Sequence, residues 1–429
     1  MRHFKSMLII GLMVFSYSAI AQKLAIVGGT LHTMGEQGSL TDKALLIDEG
    51  RIKGIVAKDR VPAGYQQIDA NDKIITPGII GAHTHLGLVE VSSSAGTVDA
   101  TADNVAFSPL GAALDVSYAI NPDSTLMAIS RIEGVTSAAT GMSSTHTLFQ
   151  GQGAVISLAD VAELNSPLIK SQAFMRLSLN NDGADDNGGS RAALWPLLLS
   201  TLNEAQQRDG RPISTNEEWF GNTAKADINA LLGVENGTVP LVIEVNRVAD
   251  IRHVIQLKQQ HQQLKLVLVG AAEAWMVATA LAENDIAVIL DPESNIAYTF
   301  DSLGTTLANA GRLSAEGVTV AIGANTHNIR LATQHAGNAV ANGLAWMDGL
   351  AALTINVAKI YGIDNDYGSL EAGKVADVVI WSADPLEVMS AAEQVFIHGQ
   401  PIKMQSRQTK LRDRYMADIK TRPARYNRP

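Results

Sequence analysis

A chain of 429 residues with 33 Lys and Arg against 43 Asp and Glu carries a formal charge of −10 at pH 7, which argues against nucleic-acid binding. It contains no cysteine, so disulfides and thiolate metal ligands are excluded and any bound metal must be held by nitrogen and oxygen. The length allows a barrel of about 250 residues with a smaller domain beside it.

In chain order, Arg2 and Lys5, the apolar run Met7 to Ile20 and the small-x-small site Ala19-Ile20-Ala21 predict a secretory signal peptide over residues 1–21, hence a periplasmic protein. That run is shorter than the roughly 20 residues a span needs, and no later run approaches membrane length, so no integral span is expected once the signal is removed. From Lys23 to about Lys73, short β runs alternate with turn signals at Gly28-Gly29 and Asp48-Glu49-Gly50. The same pattern returns at Ala376 to Trp381 and Gln394 to Ile402. Residues 22–73 and 367–402 are therefore expected to form one composite domain, a small β-sandwich built from both chain ends.

Between these ends, residues 74–366 carry eight apolar runs: Ile79 to His83, Gly134 to Thr140, Ala154 to Leu158, Ala173 to Leu179, Pro240 to Asn246, Lys265 to Gly270, Ile286 to Asp291 and Val318 to Gly323. Helical stretches separate the later ones, which predicts an α/β fold with a (β/α)8 TIM-like barrel. The run Ala154 to Leu158 could instead be a hairpin strand outside the barrel. Gly87 to Arg131 has no clear strand, and 180–189 is rich in Asn, Asp and Gly; both are placed where barrel loops face substrate. The acids Asp182, Asp185 and Asp186 lack the spacing and terminal glutamate of an EF-hand, so this segment reads as a solvated loop. Residues 403–429 form a basic tail.

The segment Ala82-His83-Thr84-His85-Leu86 follows a run of strand composition. Residues two apart on a strand share a face, so both imidazoles project the same way, an arrangement that suits a divalent cation and equally suits two hydrogen-bonded core histidines. The context of this motif resembles the amidohydrolase superfamily, in particular its exported imidazolonepropionase-like branch. The resemblance rests on Lys23 to Leu31, Leu45 to Ile52, Thr76-Pro77-Gly78-Ile79-Ile80-Gly81-Ala82-His83-Thr84-His85, Gly151-Gln152-Gly153-Ala154-Val155, Ala336 to Leu344 and Gly368 to Trp381.

That resemblance implies a barrel whose strands supply the His-x-His pair, a middle-strand lysine or glutamate, two further histidines and a terminal aspartate around one or two metals. His83 and His85 match the first element. Arg176 falls at the lysine position, Glu244 at the next histidine, Gly270 at the second and Asn325 at the aspartate. A guanidinium stays protonated and an amide is a poor proton acceptor, so a binuclear centre is not expected. One divalent metal, expected to be zinc, could be held by His83, His85 and Glu244, with His146 or His327 as substitute ligands. Glu90, Glu273 and Asp291 could serve at the mouth, although each also suits a structural loop or turn carboxylate.

Three functions follow, the third of them a hydrolase or isomerase that uses carboxylates and no metal. The first is an exported hydrolase acting through a metal-activated water on carbon–nitrogen bonds other than peptide bonds, with a small-molecule substrate such as a cyclic amide or an amino-acid-derived amide. The second is a binding protein on the same scaffold with an incomplete metal site, in which Arg176 pairs with Glu244 and its fixed charge replaces the metal's.

Overall fold

The computed structural model describes residues 23–91, 98–102, 110–160, 166–323 and 326–421. The predicted signal peptide and Asn325 lie outside the described residues.

Eight strands form one sheet in spatial order of sequence: β1 Ile79–Thr84, β2 Val135–Thr140, β3 Phe149–Ser157, β4 Leu168–Ser178, β5 Leu241–Val245, β6 Leu266–Gly270, β7 Ala287–Leu290 and β8 Val320–Ile322. Period-two alternation sorts their side chains between two cores. Ile80, Ala82, Ala139, Val155, Phe174, Val242, Val267, Ile289 and Ala321 share one buried cluster. Their sequence neighbours Ile79, Ala138, Ile156, Met175, Ile243, Leu268, Val288 and Ile322 belong to another, together with the apolar faces of the surrounding helices.

The described α-helices are α1 Thr125–Arg131, α2 Asn181–Asp186, α3 Arg191–Gln206, α4 Lys225–Glu235, α5 Val248–Gln260, α6 Ala278–Glu283, α7 Asn309–Ala315, α8 Ala332–Ala341, α9 Trp346–Ala351, α10 Ile355–Tyr361 and α11 Arg407–Thr421. The expected loop over 180–189 thus contains a short helix. Asn180 starts it, its side-chain oxygen accepting from Gly183 N at 2.9 Å. In the predicted basic tail, α11 packs against α1.

One expectation needs correction: the sheet is not a uniform (β/α)8 repeat. β3 runs antiparallel to both β2 and β4 while the remaining ladders are parallel. The connections 141–148 and 158–167 are too short for a crossover helix of a dozen residues, so the chain can only reverse direction. The run read as Ala154 to Leu158 is the second half of this strand, inside the sheet. Between β1 and β8 the sheet is nearly closed. Thr84 bridges Thr326, His85 N donates to Thr326 O at 2.9 Å, and Ile80 N and Ile322 N donate to the carbonyls of Leu353 and Ala352. The turn between α9 and α10 therefore occupies the seam.

The chain ends build two further sheets. One pairs 51–57, 43–48, 24–27 and 66–69; the other pairs 400–401, 392–397, 378–381, 74–77, 30–32 and 39–41. The second contains strands from both ends of the chain. Leu24, Ile26, Leu45 and Ile47 from the first sheet pack in one buried cluster with Leu31, Ile75, Val378 and Phe396 from the second.

Candidate active site

The site starts from an irregularity in β1. Gly81 pairs with Ala138 but Thr84 pairs with Thr140, so three residue steps on β1 oppose two on β2. This one-residue bulge shifts the alternation. Strict period two from the inward Ile80 and Ala82 would turn His83 and His85 out toward the helices. The extra residue instead brings His83 to the inner side, where the Arg176 charge acts on it. Both imidazoles are buried, with ring centroids 6.0 Å apart.

Opposite them, β4 and β5 supply a charged pair. The parallel register sets Ser178 beside Glu244 and Arg176 beside Val242, so Arg176 and Glu244 are diagonal neighbours on one face. Arg176 is 1% exposed. Its Nη2 donates to Glu244 Oε2 at 3.0 Å and its Nη1 donates to the Met142 carbonyl. Asn180 Nδ2 donates to Glu244 Oε1 at 3.1 Å, so both carboxylate oxygens are engaged. The Glu244 side chain keeps 26% of its surface exposed and is the solvent-facing member of the pair.

The turn after β2 ties the pieces together. His85 Nδ1 donates to the Gly141 carbonyl at 2.7 Å, which puts its proton on Nδ1. Met142 next to it accepts from Arg176. A Cβ at Gly141 would stand 3.1 Å from the Phe174 ring, so glycine eases this approach. Below, the Tyr361 hydroxyl donates to Ala82 O at 2.5 Å, and its ring packs against Phe174. Burial pushes the Tyr361 hydroxyl pKa up, so it stays a proton donor.

His83 is the unsatisfied group. Its Nε2 is buried with no hydrogen-bond partner. Burial first, then the Arg176 charge and the neighbouring His85, hold its pKa well below the usual histidine value, so its ring is neutral at pH 7. A small space of about 20 Å³ lined by Gly81, His83, Gly323, Thr326 and His335 has room for about one water. A wider cavity, about 810 Å³, lies elsewhere, at the start of β4 beside Lys170, Arg51 and His398. That end of a barrel supports stability rather than chemistry.

The other sequence candidates do not join this cluster in the hydrogen-bond pattern. His146 pairs with Asp186 at 2.7 Å. Glu90 accepts from Asn121, and Asp291 caps a turn by accepting from Glu293 N at 3.0 Å. Glu273 is spent on the backbone, accepting from Val248 N and Gly304 N and so tying the loops after β5 and β7. Gly270 has φ +77°, and a Cβ there would meet Asn246 Oδ1 at 2.7 Å, so the local backbone favours the glycine that stands where a histidine was expected. Sequence reading missed Asn180 and Tyr361. Asn180 had a usable signal, since it lies two residues beyond Ser178 at the end of a barrel strand; Tyr361, far along the chain, had none.

Among the described residues no group of three or more His, Asp or Glu side chains is gathered so as to hold a metal ion. The unpartnered His83 Nε2 would suit a cation. Glu244, the expected third ligand, has both oxygens bound by Arg176 and Asn180, and a buried guanidinium already supplies positive charge there. As arranged, the set of His83, His85 and Glu244 does not fit a divalent metal.

The profile of the amidohydrolase family matches residues 251–402. Over 49 residues the chain is 51% identical to the imidazolonepropionase of Klebsiella pneumoniae subsp. pneumoniae, a match that covers 11% of this chain and 12% of that protein. It is 23% identical over 381 residues to the 5-methylthioadenosine/S-adenosylhomocysteine deaminase of Moorella thermoacetica, covering 78% of this chain and 80% of the relative. An amidohydrolase of Thermotoga maritima superposes with a TM-score of 0.77 at 22% identity, covering 89% of this chain and all of that one. The His-x-His strand, the nearly closed eight-stranded sheet and these likenesses together support the amidohydrolase superfamily for this chain.

Proposed function

We propose that the protein is an exported hydrolase that cleaves carbon–nitrogen bonds outside peptide backbones in a small molecule such as a cyclic amide or an amino-acid-derived amide. The observation that carries this reading is the gathering of His83, Arg176 and Glu244 from β1, β4 and β5 near the strand ends that, in barrels of this kind, face substrate. Family membership supports the bond type.

In this reading, Glu244 is the proton acceptor, since it is partly exposed and both its oxygens are held in place by Arg176 and Asn180. Water adds to the carbonyl carbon and gives its proton to Glu244, which returns it to the nitrogen as the carbon–nitrogen bond breaks. The Arg176 charge stabilises the negative charge that develops on the carbonyl oxygen. Neutral His83 makes a hydrogen bond to the substrate through its free Nε2. No step is assigned to a metal. Export is supported by the charged start and apolar run of residues 1–21.

A mass-spectrometric screen of lactams, hydantoin-like rings and N-acyl amino acids with wild-type protein and Glu244→Gln tests the activity. Turnover that Glu244→Gln abolishes supports the proposal; no turnover of any class defeats it. Fractionation of cells followed by sequencing of the mature N-terminus tests export. A second reading, ligand binding without turnover, is favoured by the way Glu244 is held, because Arg176 engages one of its oxygens and Asn180 the other. A compound that raises the melting temperature yet is recovered unchanged would select that reading.

A further inference from the structure

We infer that this barrel is metal-free by construction: the Arg176 guanidinium is a built-in cation that excludes a divalent metal from the His83–His85 site. The inference does not depend on whether a bond is cut.

Three observations converge on it. First, Arg176 is almost fully buried inside the barrel and bonded on two sides, to Glu244 and to the Met142 carbonyl, so it is part of the packed interior and not a movable surface arm. Second, the remaining donor in reach, Glu244, has one oxygen on the guanidinium and the other on Asn180, and a metal could recruit it only by leaving a buried arginine without its counter-charge. Third, no third metal-ligating side chain joins the two histidines among the described residues. A second positive charge set beside a fixed guanidinium in a poorly solvated space is strongly disfavoured. His83 Nε2 is then left as a hydrogen-bonding atom for a ligand or a water, and the site recognises a polar molecule by fixed nitrogens in place of an electrophilic ion.

The test uses the full-length protein purified without chelator. Elemental analysis of wild type and His83→Ala is expected to find no stoichiometric metal in either, and added zinc is expected to leave the wild-type melting temperature unchanged. A stoichiometric metal in wild type that is lost in His83→Ala would overturn the inference, as would a zinc-dependent rise in melting temperature that needs His83. Arg176→Met then addresses cause. With the guanidinium gone, Glu244 is free to join the two histidines, and zinc is expected to raise the melting temperature of this variant alone. A variant that folds by circular dichroism and still ignores zinc would overturn the assignment of metal exclusion to Arg176. If it does not fold, the wild-type measurements decide the inference by themselves.

Discussion

Replacing Glu244 by alanine removes the counter-charge of a guanidinium that is 1% exposed and held at 3.0 Å. Two charges about 4 Å apart attract by about 4 kcal/mol at the effective dielectric of a protein surface, but desolvation offsets much of that when both partners are present. Removing one partner is different, because the survivor keeps its desolvation cost; for buried pairs the loss is about 3–5 kcal/mol. The 26% exposure of the Glu244 side chain lets water enter the vacated space, which puts the expectation at the lower end, about 3 kcal/mol. Spread over the unfolding entropy of a chain of this length, that is a fall in melting temperature on the order of 4 °C. Glu244→Gln also removes the counter-charge but keeps an acceptor for Arg176 and should lose about 2 kcal/mol, whereas Asn180→Ala, which removes one hydrogen bond to the carboxylate, should lose about 1 kcal/mol. Melting followed by far-ultraviolet circular dichroism at neutral pH reads all three. Glu244→Ala melting within about 1 °C of wild type would show that the pair does not neutralise Arg176.

Three more predictions concern titration and loop anchoring. Glu235, at the end of α4, is 8% exposed with both oxygens unpartnered, and burial pushes its pKa up to about 7. Its folded value is raised, so stability is full below its ordinary pKa and falls as pH rises through 7; Glu235→Gln should gain at most about 3 kcal/mol over wild type near pH 8 and almost nothing near pH 4.5. Equal melting of the two proteins at both pH values would refute the burial argument. His83 has a depressed pKa, so its contribution is present above the ordinary histidine value and is lost as pH falls below it, by up to about 1.4 kcal/mol per pH unit; wild type should therefore lose stability faster than His83→Gln on acidification below about pH 6.5. Parallel pH profiles would count against a buried neutral ring. Asp227 accepts from Gly111 N at 3.1 Å and Ala113 N at 2.7 Å, fastening the segment that leads to β2 onto α4. Asp227→Ala should cost on the order of 2 kcal/mol and speed proteolytic cleavage near Gly111, and an unchanged digestion rate would show that the anchor is dispensable.

What could be read from the sequence follows from which forces are local. Seven of the eight barrel strands coincide with apolar runs bounded by turn residues, because burial on both faces leaves a compact compositional mark. The eighth, β3, was visible only in its second half: Gln150 and Gln152 are buried polar residues that break the apolar run, and the direction of the strand depends on the short connections on either side. The bulge between Gly81 and Thr84 left no trace that alternation could use, so the shared face of His83 and His85 was reached through a regular strand that the structure does not contain. The pairing of Arg176 with Glu244 was accessible because opposite charges stand at two successive ligand positions implied by the resemblance, which fall on adjacent strands. The part played by Glu273 was not, since it depends on backbone groups of loops distant in sequence.

The bulge and the ion pair belong to one arrangement. A strand with strict alternation would put residues 83 and 85 among the aliphatic side chains that face the helices, leaving Arg176 to share the barrel interior with Phe174 and Tyr361 alone. By bringing His83 to the inner side, the extra residue buries the ring within reach of the Arg176 charge, and burial first, then that charge, keep it from readily accepting a proton, while its Nε2 has no partner. The same guanidinium draws Glu244 in and leaves that carboxylate partly exposed. A movable metal could be lost or exchanged; an arginine fixed by Met142 and Glu244 cannot, so the polarity of this barrel mouth is set by folding and not by metal supply.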